Sequence, residues 1–224
     1  MEFADVLASS IHDIKNSLGV ILTHLDDLLN NPENQLADRH QASLLQHEAQ
    51  RANNNLIQLL TLYKLGDDQL VVRVGEHNLD EFLEEVIADN LAVCRAMNLD
   101  LSYACDPELT GFFDADLIRS VLDSTIGNAR RYARERILLS AASEDGWLVL
   151  RVEDDGGGFP PALIHTFGEG ASGAQETAEP GRTQLGLYFA AMIAQAHQSS
   201  GRTGRLRLEN AHCLPGSCLG LWLP

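Results

Sequence analysis

Apolar residues recur every three to four positions over residues 3–29 of the chain and again over residues 36–65. The first stripe consists of Leu7, Ile11, Ile14, Leu18, Ile21, Leu25 and Leu28, and the second of Leu44, Leu45, Ala49, Ala52, Leu56, Leu59, Leu60 and Tyr63. This period predicts two amphipathic helices, and the segment at residues 30–34, which contains a proline, predicts the turn between them. Because an antiparallel helix pair cannot bury both stripes alone, we expect two copies to form a dimeric four-helix bundle.

The first helix carries a compact group of polar side chains. His12 stands next to Asp13, and Asn16 follows the histidine at a spacing of four. A neighbouring carboxylate can orient an imidazole and raise its basicity, and residues four apart share one helix face. The arrangement suits the handling of a phosphoryl group, although a histidine on a helix is more often simply solvated.

The pattern changes to shorter apolar runs after residue 66, so we place a domain boundary there, with a helical hairpin at 1–66 and a second domain at 67–224. The second domain is predicted to contain strands at 71–74, 100–104, 137–142, 147–152, 204–208 and 218–223, and helices at 79–97, 115–133 and 185–197. Helices on one face of a mixed sheet make an α/β sandwich, so the fold class of the whole chain is α+β. Residues 167–183, which are rich in Gly, Ala and Glu, are predicted to form a mobile loop.

Two further polar groups lie in this second domain. Asp154 ends a predicted strand and is followed by Gly156 and Gly158. A carboxylate in that place can accept a hydrogen bond from an exocyclic amine such as that of adenine, and glycines let the backbone approach a ring closely. A glycine-rich turn beside acidic residues has the same composition. On the preceding helix, Asn128 offers either a hard oxygen ligand for Mg²⁺ or an ordinary surface amide.

Four segments, taken in chain order, resemble the boxes of the two-component sensor histidine kinases. They are His12-Asp13-Ile14-Lys15-Asn16-Ser17-Leu18, Asn128-Ala129-Arg130-Arg131-Tyr132, Asp154-Asp155-Gly156-Gly157-Gly158 and Gln184-Leu185-Gly186-Leu187. The resemblance covers nearly the whole chain. It implies a dimerisation and phospho-acceptor hairpin followed by a Bergerat-type ATP-binding domain, the fold shared with DNA gyrase, Hsp90 and MutL.

The resemblance also implies roles for particular side chains. His12 would be the phosphoryl acceptor, Asp13 would activate it, and Asn16 would position a water in a phosphatase reaction. The ATP-binding set implied in the same way is Asn128, which would hold Mg²⁺, with Arg131, Tyr132, Asp154, Gly156, Gly158, Gly186 and Leu187. The implied function is a histidine autokinase that passes the γ-phosphoryl group of ATP to His12 and then to an aspartate of a response regulator. The expected partners are a second copy of the chain, a response regulator or receiver domain, and a separate sensor protein.

The chain departs from the pattern of this family at three places. Ser17 replaces a proline, Ser124 stands where an additional asparagine is common, and Gly186 alone remains of three glycines near residues 182–187. These departures keep two alternatives open. One is a histidine phosphotransfer protein whose second domain no longer binds ATP, and the other is a non-catalytic dimeric module that binds receiver domains.

Composition excludes some classes of function. With 16 basic and 32 acidic residues the net charge is -16, which argues against nucleic-acid binding because phosphate contacts need clustered Lys and Arg. No segment approaches the roughly 18 apolar residues of a membrane span. The four cysteines lack metal-motif spacing, and we expect them to be reduced thiols in a cytoplasmic protein.

Overall fold

The computed structural model of the chain describes residues 3–30, 39–66, 71–167 and 185–224. The chain divides into two compact units, Met1–Val71 and Val72–Pro224. The predicted turn after Asn30, the first residues after the predicted boundary at 66, and the predicted loop after Phe167 lie outside the described ranges.

The first unit is a pair of long helices that contact each other, α1 (Phe3–Asn30) and α2 (Arg39–Gly66). The Gln46 side-chain amide donates a hydrogen bond from α2 to Asp26 Oδ1 on α1 at 3.2 Å. Several apolar side chains of the pair remain between 41% and 62% exposed, namely Ile14, Val20, Ile21, Leu28, Leu45 and Leu59. The two predicted helices are confirmed, and packing within the single hairpin leaves part of their apolar surface uncovered.

The second unit is built on a five-stranded sheet. Its elements are β1 (Gly75–Asn78), α3 (Leu79–Ala96), β2 (Asp100–Ala104), β3 (Thr110–Phe113), α4 (Ala115–Tyr132), β4 (Arg136–Glu144), β5 (Trp147–Asp154), α5 (Pro161–Phe167), α6 (Leu185–Ala196), β6 (Gln198–Ser199), β7 (Arg202–Thr203), β8 (Arg205–Asn210) and β9 (Ser217–Leu223). The strand order of the main sheet is β2-β4-β5-β9-β8, with β2 parallel to β4 and the other neighbours antiparallel. Helix α4 contacts α3, α6 and β5, so these three helices form one layer over the sheet. The predicted α+β class and α/β sandwich are confirmed.

Local sequence signals explain where the two longest helices of this unit begin. The Asn78 side chain accepts a hydrogen bond from the Glu81 backbone N–H at 2.9 Å and caps α3. The Asp114 side chain accepts from the Leu117 N–H at 3.1 Å and caps α4. Each cap satisfies a backbone donor that the first turn of a helix leaves without a partner. The α4 cap therefore sets where the helix that carries Asn128 begins.

The strand predicted at residues 71–74 is wrong. These residues have no regular structure, and Val71 and Val74 are 74% and 52% exposed. The chain becomes a strand only at Gly75, where β1 pairs with β3, in the register Gly75 to Phe113. A run of valines forms a strand only where a partner strand is available. The strand at 110–113, which pairs with β1, was not predicted from the sequence. The short helix α5 was not predicted either.

In the described ranges, none of the helices combines the length and the hydropathy that crossing a membrane requires.

Candidate functional site

Helix α4 presents one apolar face to the core and one polar face to solvent. Val121, Ile126 and Ala129 are buried, whereas Asn128 and Arg131 are exposed. This division follows from the helical period, because residues three and four apart share a face. The amide oxygen of Asn128 and the guanidinium of Arg131 are therefore accessible to a ligand. Tyr132, in the last turn, is 53% exposed.

The start of helix α6 lies against this polar face of α4. A Cβ atom placed on Gly186 would lie 3.2 Å from Ser124 Oγ and 3.5 Å from Asn128 Nδ2. The absence of a side chain at Gly186 thus leaves room directly beside the Asn128 amide. The structure brings together two predicted site residues that are 58 positions apart in the sequence. Leu187 follows on the same helix and is half-buried. Residues 182–184 of the altered glycine segment lie outside the described ranges.

At the end of β5, Asp154 is 2% exposed, and its carboxylate is held by the chain itself. Oδ1 accepts from the Gly156 N–H at 2.7 Å, and the Ser217 hydroxyl donates to Oδ2. A carboxylate oxygen can accept more than one hydrogen bond, so this group can still accept from a ligand amine. Ser217 was not singled out from the sequence. Its only local signal is the Gly216-Ser217 pair that opens the last strand.

Glycines make this part of the site possible by letting backbone segments touch. A Cβ at Gly156 would lie 2.0 Å from the Tyr132 carbonyl oxygen, so the turn after Asp154 packs directly on the end of α4. A Cβ at Gly216 would lie 2.4 Å from the Gly156 nitrogen. Gly158 has φ +78° and lies close to the Asn210 side chain, whose Oδ1 accepts from the Phe159 N–H at 2.7 Å. The glycines thus bring together the protein's own segments around Asp154.

Asp155, the next residue, binds the backbone that connects α4 to β4. Its Oδ1 accepts from the backbone N–H groups of Arg134, Glu135 and Arg136 at 2.8, 3.1 and 3.1 Å. Burial alone would raise the pKa of this carboxyl, but the backbone donors outweigh burial, so the pKa lies below its ordinary value. Asp155 therefore fixes the connection between α4 and β4 and does not face the site.

The first unit carries the proposed phosphoryl acceptor. His12 lies within α1, and its side chain is outside what the structure describes. Asp13 and Asn16 lie on the same helix and are exposed. Ser17, at the position where the resembling box has a proline, donates its hydroxyl to the Asp13 carbonyl oxygen at 3.0 Å. The helix is therefore continuous through the motif.

The sequence family that matches this part of the chain is described as histidine kinase-, DNA gyrase B-, and HSP90-like ATPase, and the match covers residues 113–224. The chain belongs to this ATPase family. The matched residues include α4, Asp154, Gly186 and the final strand with Ser217. These groups fit a nucleotide and its divalent cation in chemical type. The buried Asp154 carboxylate is a hydrogen-bond acceptor, the Asn128 amide offers a hard oxygen ligand, and Gly186 leaves space beside that amide.

Curated relatives of this ATPase-family chain are sensor kinases. It is 24% identical over 170 residues to sensor histidine kinase RegB of Cereibacter sphaeroides, covering 75% of this chain and 36% of RegB. It is 26% identical over 204 residues to sensor protein kinase CarS of Pseudomonas aeruginosa, covering 89% of this chain and 42% of CarS. The chain therefore spans less than half the length of these relatives.

Solved structures of histidine kinases share the fold. The Acinetobacter baumannii histidine kinase AdeS matches with a TM-score of 0.62 at 17% identity over 95% of this chain and 96% of that one. Full-length ShkA in complex with AMPPNP matches with a TM-score of 0.68 at 19% identity, over 98% of this chain and 45% of ShkA. The histidine kinase ThkA in complex with the response regulator protein TrrA matches with a TM-score of 0.62 at 22% identity, over 98% of this chain and 60% of ThkA.

Proposed function

We propose that this chain is the catalytic core of a two-component histidine kinase, which moves the γ-phosphoryl group of ATP to His12 and then to a response-regulator aspartate. The observation that carries the proposal is the buried Asp154 carboxylate, held by Ser217 at the end of β5 beside the polar face of α4. This site belongs to a chain whose other unit has His12-Asp13 on a continuous helix. Family membership and sensor-kinase relatives support the same conclusion.

Each group has a defined part in the reaction. The Asp154 carboxylate accepts a hydrogen bond from the adenine amine, and the Arg131 guanidinium faces the phosphates as a counter-charge. Asn128 provides the protein ligand for Mg²⁺, which when bound neutralises charge on the triphosphate. The neutral His12 imidazole forms a bond to the γ-phosphorus while the bond to the ADP oxygen breaks. Asp13 accepts the proton that the imidazole loses.

The proposed partners follow from the same chemistry. A second copy would cover the apolar side chains that the hairpin exposes, and a response regulator would supply the acceptor aspartate. A separate protein would supply the signal.

Asn16, one turn beyond His12, would orient a water for removal of phosphate from the regulator. Asn16→Ala should then slow dephosphorylation of the regulator while transfer from His12 continues. Equal dephosphorylation rates with the two proteins would contradict this role.

Incubation of the full chain with labelled ATP and Mg²⁺ tests the kinase. We expect acid-labile, alkali-stable label in the wild type and none in His12→Ala. His24→Ala is the matched control, because His24 lies exposed on the same helix. Asn128→Ala should reduce the label steeply through loss of the metal ligand. If no nucleotide binds, yet His12 accepts phosphate from a phosphorylated receiver domain, the chain is a phosphotransfer protein. If neither occurs, it is a receiver-binding module.

A further inference from the structure

On the face of the sheet opposite the Asp154 carboxylate, a second set of chemically reactive side chains converges. Strand register places Glu153 of β5 opposite Cys218 of β9, and Cys218 opposite Glu209 of β8. Successive side chains of a strand point to opposite faces, so Glu153 points away from the side that Asp154 occupies. Three potential metal-ligand residues thus form a row across neighbouring strands.

The loop between β8 and β9 adds two more potential ligands to this row. His212 Nδ1 lies 3.0 Å from Glu153 Oε1, and the Cys213 N–H donates to Glu153 Oε2 at 2.7 Å. The Leu214 N–H donates to the same oxygen at 3.0 Å. Glu153, which is 0% exposed, therefore holds the loop down on the sheet. Cys218 Sγ lies 3.6 Å from Glu209 Oε1.

Two overlapping groups result, and both contain His212. In the group of Glu153, His212 and Cys213, the ligand atoms lie within 4.8 Å of one another, and the same holds for Glu209, His212 and Cys218. A four-coordinate zinc ion holds its ligands at about 2.0–2.3 Å, so small side-chain movements would close either group around one ion. Thiolate and imidazole together favour zinc over calcium or magnesium, which prefer oxygen.

We propose that this cluster, consisting of Glu153, Glu209, His212, Cys213 and Cys218, is a binding site for Zn²⁺, with His212 as the ligand shared by both groups. Binding exchanges the protons of the thiols for the metal, so it releases protons as the thiolate bonds form.

Glu153 and Glu209 place two carboxylates beside the sulfur atoms of Cys213 and Cys218. Two carboxylates so close to two thiols oppose formation of a thiolate. A divalent cation reverses this balance, because its charge stabilises carboxylate and thiolate together.

The cluster is connected to the candidate nucleotide site through the same loop. The Gly216 N–H donates to the Asp154 carbonyl oxygen at 3.0 Å, and Ser217 donates to the Asp154 carboxylate. An ion bound by His212 and by residues of β5, β8 or β9 would therefore restrict the movement of the β8–β9 loop, which leads into Ser217. The proposed metal site itself does not depend on the kinase function, and its test needs no nucleotide.

Zinc binding is measured on the full chain, freed of metal with a chelator and kept reduced, by competition with a chromophoric zinc indicator. We expect one zinc per chain that depends on His212, and a melting temperature higher by about 5–10 °C when free zinc exceeds the dissociation constant about 100-fold. Substitution of Co²⁺ should produce the charge-transfer absorption of a cobalt–thiolate bond.

The variants separate this cluster from other histidines and thiols. His212→Gln and Cys213→Ser should weaken binding about tenfold or more, the scale at which loss of a metal-site residue is felt. Both side chains are exposed, so neither substitution removes core packing. His165→Gln and Cys105→Ser are the controls and should leave affinity unchanged. Unchanged affinity in folded His212→Gln and Cys213→Ser, or a cobalt complex without thiolate absorption, would overturn the site and leave adventitious metal binding.

Discussion

Asp154 and Asp155 are adjacent and both at least nine-tenths buried, but the same substitution should affect a different property at each position. Asp155→Asn is expected to lower stability, whereas Asp154→Asn is expected to lower nucleotide affinity. The reason is that the two carboxylates bond to different parts of the chain. Asp155 accepts backbone N–H groups of the α4–β4 connection, and Asp154 accepts from Ser217 and Gly156.

The magnitude for Asp155→Asn follows from its hydrogen bonds. Oδ1 accepts three backbone N–H groups at 2.8–3.1 Å, and Oδ2 accepts the Glu135 N–H at 3.2 Å. The Glu135 N–H is shared between the two oxygens, so three N–H groups donate to the carboxylate. Loss of the charge weakens the bond from each donor by about 1 kcal/mol, so we expect a loss of about 3 kcal/mol. For a domain of about 150 residues this corresponds to a melting temperature lower by about 6–12 °C.

The pH dependence has a defined sign. Because the pKa of Asp155 is lowered in the folded state, its stabilising contribution is present above the ordinary aspartate pKa of about 3.9 and is lost as pH falls through the lowered value. The difference in unfolding free energy between wild type and Asp155→Asn should therefore be constant near neutral pH and shrink in acid.

Asp154→Asn should lower stability by about 1 kcal/mol, because only the Gly156 N–H loses a charged acceptor, while the new amide N–H donates to the rotated Ser217 hydroxyl. The new side chain of this variant would present an amide N–H donor where the adenine amine needs an acceptor. Nucleotide affinity should therefore fall about tenfold or more, equivalent to about 1.4 kcal/mol or more. Asp145→Asn, in the exposed hairpin turn at φ +49°, is the control for both measurements.

Differential scanning fluorimetry and titration of a fluorescent ATP analogue with Mg²⁺, both on the full chain, measure the two effects. The reasoning is refuted if Asp155→Asn melts like Asp145→Asn, or if Asp154→Asn binds nucleotide like the wild type. A folded Asp155→Asn protein that has lost nucleotide binding as severely as Asp154→Asn would also refute the division of roles.

The buried His197 accepts from the Asp114 N–H at 3.0 Å and donates to the Ile193 carbonyl at 2.8 Å. Burial lowers the pKa of His197 in the folded protein. Stability should therefore fall as pH drops below about 6.5, because the unfolded chain takes up the proton there and the folded protein does not. Urea unfolding at several pH values should show this slope in the wild type and a smaller one in His197→Gln. Gly186→Val should weaken Mg²⁺-ATP binding about tenfold, or 1.4 kcal/mol, by filling the space beside Asn128, whereas Gly186→Ala should have a much smaller effect in the same titration. Light scattering at micromolar concentration should give the mass of a dimer, and a monomer at every concentration would contradict pairing through the exposed hairpin surface.

The longer helices of this chain and most strands of its sheet could be predicted because their signals are local. The apolar period of α1 and α2 is visible in the sequence alone, since burial of one face imposes it. The apolar runs of β4 and β5 are equally visible, because they flank a turn signal at residues 143–146. The same holds for Asp154, whose place between a strand and a run of glycines is a local pattern. The edge pairing of β1 with β3 has no such pattern, because both strands are short and partly exposed.

Only the tertiary structure decided which polar groups act together. Ser217 lies 63 residues beyond Asp154, and nothing near either residue predicts their hydrogen bond. The different surroundings of Asp154 and Asp155 were equally hidden, because the partners of both carboxylates, Ser217 and the backbone at 134–136, lie far away in the chain. Local spacing predicts which side chains share a face of one helix or strand, and long-range register determines which faces meet. The amino-acid sequence therefore determined the elements and the family to which the chain belongs, and the packing of β9 on β5 determined which residues surround the candidate site.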